Sequence, residues 1–140
     1  MGNGGKKLAF VFPGQGCQRV GMGKSLADDY KEARQVFEEA DEALGFPLSE
    51  LCFYGPEDEL TLTRNAQPGI VATSVAVFAV MRSQGIIADI VSGHSVGEYS
   101  ALVASDVLSL GDAVRLVSIR GQLMEKACPP GAGGMSAVLG

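Results

Sequence analysis

The pentapeptide Gly93-His94-Ser95-Val96-Gly97 constrains this chain more than any other segment. It matches G-x-S-x-G, in which a serine sits at a sharp, strained turn from a strand into a helix. Small residues on both sides let the two elements approach closely and leave the hydroxyl exposed as a nucleophile. The helix that follows points its unpaired N–H groups at the serine, where they can stabilise an oxyanion. Taken alone the pentapeptide is moderately specific, because glycine and serine also meet in ordinary turns. Its flanks favour the nucleophile reading. An apolar run from Ile86 to Val91, interrupted by Asp89, precedes it, and a helix from Val96 to about Ala104 fits directly after it.

The rest of the chain reads as strands and helices around that turn. Leu8 to Phe12 is a short apolar run that stops at Pro13-Gly14. Both it and Ile86–Val91 read as strands buried on two faces, as in a parallel sheet. Tyr30, Ala33, Phe37, Ala40 and Leu44 form the apolar stripe of an amphipathic helix that Gly45 and Pro47 end. Residues 48–63 read as short helical turns. Pro68 suits the first turn of a buried helix running to about Ser83. Ser109 and Asp112 fit a cap that opens a helix from Leu110 to about Ala127. Pro129 to Gly134 is a loop, and Met135 to Leu139 begins another strand.

This order is α/β. Two clear strands make a poor sheet for so much helix, and the last strand has nothing after it to cover it. The expectation is a truncated piece of a larger α/β domain, with no internal repeat and no linker.

His94 is the chain's one histidine. Adjacent side chains diverge at such a turn, so it is expected to pack beside the sheet rather than take the proton of Ser95. A serine without a base is a weak nucleophile, and the general base is therefore expected to be missing from these residues. The glycine-rich loop from Pro13 to Gly23 matches neither nucleotide pattern. G-x-G-x-x-G fails at Arg19, and the phosphate loop fails at Gln18. Neighbouring parallel strands end on one edge, so this loop is expected beside Ser95, where one of its N–H groups can serve as a second oxyanion donor.

Composition narrows the remaining classes. A net charge of −5 argues against nucleic-acid binding. The 46% hydrophobic and 19% charged residues fit a globular domain. Cys17, Cys52 and Cys128 are odd in number and lack metal-ligand spacing, so no metal site and no disulfide is expected. Lys6-Lys7 and the short run after them do not make a signal peptide, and no segment is long enough to span a bilayer. A cytoplasmic location with no membrane contact follows as the expectation.

Three segments converge on a family: residues 12–18 (FPGQGCQ), residues 93–101 (GHSVGEYSA) and residues 117–124 (VSIRGQLM). With Ala66-Gln67-Pro68 they resemble the malonyl-CoA:acyl-carrier-protein transacylases. Acyltransferase domains of polyketide and fatty-acid synthases are close relatives. The resemblance covers nearly all of the chain after Lys6. It implies a parallel-sheet, α/β-hydrolase-like large subdomain over residues 8–128, after a tail at 1–7. Residues 129–140 would open a ferredoxin-like small subdomain.

It further implies that Ser95 becomes the acyl-serine, that the N–H groups of Val96 and Gln15 form the oxyanion hole, and that Arg120 holds the free malonyl carboxylate. The last role has physical sense of its own, since a guanidinium binds a carboxylate through two parallel bonds. Val117, Ile119 and Leu123 suggest that its helix is partly buried. Val96 is similar to the branched residue of malonyl-selective members. The implied substrate is malonyl-CoA, the implied partner is acyl carrier protein, and no bound cofactor is implied. The family's catalytic histidine lies downstream of these residues, so the 140 residues alone are expected to be inactive. A serine thioesterase of the α/β-hydrolase type and a non-catalytic module are the competing readings. Glu98, the Gln15 loop and Arg120 argue against the thioesterase.

Overall fold

In a computed structural model of the chain, residues 7–129 and 132–133 are described. The elements run β1 (Ala9–Phe12), α1 (Lys24–Asp29), α2 (Lys31–Leu44), α3 (Leu48–Tyr54), α4 (Glu57–Thr61), α5 (Thr63–Ser83), β2 (Ile90–Gly93), α6 (Gly97–Ala104) and α7 (Leu110–Ala127). The strand expected at Met135–Leu139, and with it the start of a small subdomain, lies outside the described residues.

Among the described residues β1 and β2 form a parallel pair, with Ala9 opposite Ile90 and Phe12 opposite Gly93. Helix α6 packs on both strands, and α5 connects it to α2 and α7. Two apolar clusters result. The larger joins Phe37 and Ala40 of α2, Ile70, Val71 and Val75 of α5, and Val114 and Val117 of α7. The smaller joins Phe10 and Phe12 of β1 to Ala101 of α6, with Phe78 packed against it. Phe37 is 2% exposed and meets Phe53 edge-on at 4.7 Å between ring centroids. Burial of a side chain of that kind stabilises by about 1.5–3 kcal/mol.

The helices follow their local signals. The stripe from Ala33 to Leu44 is α2, and Gly45 ends it in the left-handed conformation with φ 73°. Glycine is needed there because it has no Cβ to clash. The Ser109 hydroxyl accepts from the Asp112 N–H at 3.1 Å and donates to the Asp112 carboxylate at 2.7 Å, which opens α7. Cys52 lies in the larger cluster. Burial pushes its thiol up to about 12, and the Asp41 charge adds to the shift.

Three expectations are corrected. The strands are not buried on both faces. Phe10 and Phe12 are covered, whereas Val11 is 74% and Ile90 55% exposed. Helices cover one face of the pair, and a run of apolar side chains does not reveal how many layers will cover it. An apolar groove of about 430 Å³ runs along β1 and α5, past Val11, Met22, Val77 and Met81. The second strand is also shorter than expected. The Asp89 carboxylate accepts the Leu8 N–H at 2.9 Å and the Asp89 N–H donates to the Leu8 carbonyl at 2.8 Å, so regular pairing starts only at Ile90.

Helix α5 begins at Thr63, not at Pro68, which falls inside it. An internal proline lacks the N–H that would reach the Arg64 carbonyl, and packing against α7 outweighs that loss. A Cβ at Gly121 would come within 2.6 Å of the Arg64 Cα, so the two helices touch through their backbones there. Helix α1 is an addition to these elements: the glycine-rich loop ends before it at Gly23, as expected, and the sequence pattern assigns residues 24–29 to no element.

Candidate active site

Ser95 occupies the turn between β2 and α6 with φ 53°, a left-handed conformation rare for a residue with a Cβ. Its neighbours explain how the turn closes. A Cβ on Gly93 would overlap the Gly97 carbonyl, and a Cβ on Gly97 would overlap the Phe12 carbonyl. The His94 N–H donates to the Phe12 carbonyl at 3.0 Å, extending the strand pairing one residue past Gly93. Gly97 and Glu98 then donate back to His94 and Ser95, at 2.9 and 3.1 Å, to start the helix. The Val96 N–H has no acceptor among the described residues.

The loop after β1 lies against this turn. A Cβ on Gly14 would sit 2.5 Å from the His94 Nδ1, so the imidazole rests over Gly14. The Gly16 N–H donates to the Gln18 Oε1 at 2.8 Å, and the Cys17 thiol to the Gly14 carbonyl at 3.2 Å. The Gln15 N–H also has no acceptor among the described residues. The Val96 and Gln15 amides are thus among the backbone N–H groups of the turn and the loop that are left without an acceptor among the described residues.

Arg120 reaches this turn from α7. Its Nη2 donates to the Ser95 Oγ at 3.1 Å, and its Nη1 donates to the Gln67 Oε1 at 2.8 Å. The Gln67 amide donates in turn to the Gln15 Oε1 at 3.2 Å and to the Met124 sulfur at 3.3 Å. The Gln15 amide then donates to the Thr63 Oγ1 at 3.3 Å. A single chain of side chains therefore runs from Ser95 through Arg120, Gln67 and Gln15 to Thr63. Among the described residues Arg120 has no carboxylate partner. A half-buried guanidinium with no counter-ion, beside an exposed serine, favours an anionic ligand.

The four residues singled out from the sequence thus meet at one place. Ser95 and Arg120 touch, Val96 follows Ser95, and Gln15 is joined to Arg120 through Gln67. Helix α7 is partly buried, as expected, although Ile119 and Leu123 on it are 53% and 60% exposed. Arg120 is nonetheless half-buried, because the covered face of α7 is set by Val114, Val117 and Gly121. His94 makes no hydrogen bond to Ser95, and the only partner of the Ser95 hydroxyl among the described residues is the guanidinium, which cannot take its proton.

Sequence reasoning assigned no role to Gln67. The available signal was its place in Ala66-Gln67-Pro68, at the start of the apolar run, and the structure shows it fully buried. Among the described residues no group of His, Cys, Asp and Glu could hold a metal ion, and no helix is long and apolar enough to cross a membrane.

Residues 9–139 match the acyl transferase domain family. The chain is 52% identical over 134 residues to the malonyl CoA-acyl carrier protein transacylase of Bacillus subtilis (strain 168), covering 96% of this chain and 42% of that protein. It is 47% identical over 135 residues to the enzyme of the same name from Escherichia coli (strain K12), covering 96% and 44%. Among solved structures, the malonyl CoA-acyl carrier protein transacylase of Clostridium perfringens superposes with a TM-score of 0.86 at 43% identity, over 90% of this chain and 40% of that one. A malonyl-transacylase in complex with a type II PKS acyl-carrier protein superposes with a TM-score of 0.84 at 44% identity, over 89% and 40%. The chain spans about two fifths of the length of the curated relatives it matches.

Proposed function

The chain belongs to the acyl transferase domain family, and on that premise we propose that it carries the nucleophile and the acyl-carboxylate site for malonyl transfer. The donor is malonyl-CoA and the acceptor is the phosphopantetheine thiol of acyl carrier protein, in fatty acid biosynthesis. The Ser95 Oγ attacks the thioester carbonyl, and its proton passes to a general base that the described residues do not supply at Ser95 and from it to the departing CoA sulfur. The carbonyl electrons move to oxygen, where the N–H groups of Val96 and Gln15 stabilise the oxyanion. Collapse breaks the C–S bond, CoA leaves as the thiol, and malonyl-Ser95 remains. The carrier thiol then repeats the addition, and Ser95 recovers its proton.

One observation carries the choice of acyl group: Arg120 lies 3.1 Å from the Ser95 Oγ and has no carboxylate partner among the described residues. The malonyl carboxylate is separated from the attacked carbonyl by a single methylene. A cation this close to the nucleophile can hold it while the carbonyl stands at the Oγ. Both half-reactions use a substrate already activated as a thioester, so no cofactor or metal enters the proposal. Free thiols at Cys17, Cys52 and Cys128 fit a reducing, cytoplasmic setting.

The test uses the protein expressed from its complete reading frame and incubated with malonyl-CoA. Intact mass and peptide mapping are expected to place one malonyl group on Ser95, and carrier protein is expected to remove it. An adduct on Cys17 or Ser100 with Ser95 unmodified overturns the assignment. Release to water in preference to the carrier thiol identifies a hydrolase instead.

A further inference from the structure

We infer that Glu125 is a positioning residue that pins α7 along the start of α5 and so fixes where Arg120 stands beside Ser95, an inference that rests on the roles proposed for those two residues. Glu125 follows Arg120 on α7 by about 7.5 Å along the helix axis. Both of its carboxylate oxygens hold one residue of α5. The Oε1 accepts the Arg64 backbone N–H at 3.1 Å, and the Oε2 accepts from the Arg64 Nη1 at 3.1 Å. The start of α5 has need of such a group. Its cap residue Leu62 makes no side-chain hydrogen bond, and its first turn holds no acid. A first turn leaves N–H donors without an intrahelical partner and favours an anion beside them. Glu125 supplies acceptor and charge from the neighbouring helix, with its side chain only 18% exposed.

Gly121 and Glu125 act on the helix pair in different directions. Gly121 lets the backbones of α7 and α5 meet, but a residue without a side chain offers little resistance to sliding. The two directional bonds from Glu125 to Arg64 do resist it. Arg120 stands next to Gly121, and its guanidinium has to reach the Ser95 Oγ from that point. A slide of α7 by about 1 Å would take a 3.1 Å contact out of hydrogen-bond range. Misplacement on that scale can cost about a hundredfold in rate. An acyl group without a carboxylate makes no use of the guanidinium, so its transfer is insensitive to the slide.

The test uses the protein expressed from its complete reading frame, as wild type, Glu125→Ala, Glu125→Gln, Arg64→Ala, Arg120→Ala and the double variant Glu125→Ala with Arg120→Ala. The readouts are kcat/KM for malonyl-CoA and for acetyl-CoA, and the rate at which a neutral fluorophosphonate labels Ser95. Glu125→Ala is expected to lower the malonyl-to-acetyl ratio by at least about threefold, with acetyl transfer and labelling within about twofold of wild type. Arg64→Ala is expected to lower the ratio less, because a backbone N–H remains at that position. Glu125→Gln is also expected to lower it less, because the amide oxygen still accepts that N–H. In the Arg120→Ala background, Glu125→Ala is expected to change the ratio no further. If Glu125→Ala does not fold, Glu125→Gln and Arg64→Ala decide by the same ratio. An unchanged ratio, equal losses for both acyl groups, or the same loss with Arg120 already replaced overturns the role of Glu125. A wild type without preference for malonyl, or a preference that survives Arg120→Ala, overturns the functional reading as well, which separates the two failures.

Discussion

Gly93 and Gly97 face each other across Ser95 with no space for a methyl group on either. Gly97 is the first residue of α6. Helix propensity alone would favour Gly97→Ala by about 1 kcal/mol. The added methyl would instead overlap the Phe12 and Pro13 carbonyls, and backbone oxygens cannot rotate away as a side chain can. Overpacking of this kind costs about 1–3 kcal/mol. Gly97→Ala is therefore expected to lower the urea midpoint and to slow fluorophosphonate labelling of Ser95. A higher midpoint with unchanged labelling would show that the strand and helix are not in close contact there.

Arg120→Ala removes a charge-assisted contact worth about 1.5–3 kcal/mol. Malonyl transfer is expected to fall by roughly 10–150-fold in kcat/KM, with little change for acetyl transfer. Arg120→Lys keeps the charge but loses the fork that reaches Ser95 and Gln67 together, so it is expected to recover only part of the loss. Steady-state rates with both CoA esters check this. Equal losses for the two substrates would make Arg120 a structural residue.

The site was unevenly legible in the sequence. Ser95 could be read because the chemistry of a strained turn demands glycines at fixed offsets, and Gly93 and Gly97 supply them. The α2 and α7 boundaries could be read because Gly45 and the Ser109–Asp112 cap act locally. Gln67 could not, since its meaning lies in partners 52 and 53 residues away. No periodicity encodes such a pairing. The start of α5 was misplaced because proline's preference for a first turn is a local rule, and contact with Gly121 overrides it. The exposed faces of Val11 and Ile90 were missed because a buried strand and a half-covered one share the same apolar composition.

Cys52 provides a check on the larger core. Its folded thiol is pushed above the ordinary value near 9 to about 12. The neutral form is favoured in the folded state, so the contribution to stability is full below pH 9 and fades as pH rises through about 12. Iodoacetamide footprinting with peptide mapping is expected to show Cys52 protected at pH 8 and still protected at pH 10, with reaction only in denaturant. Alkylation of Cys52 in the folded protein at the rate seen in denaturant would show that the core around α3 opens readily.

The two apolar clusters meet the chain on opposite sides of Ser95. Val91 of β2 packs into the smaller one, and Val96, the next residue after the serine, is fully buried in the larger. A strained dihedral ordinarily relaxes when the chain slips a little in one direction. Slippage here would drag Val91 out of one core or Val96 out of the other. The serine behaves like a bead on a wire clamped at both ends, and its left-handed twist persists because neither clamp can yield without the other.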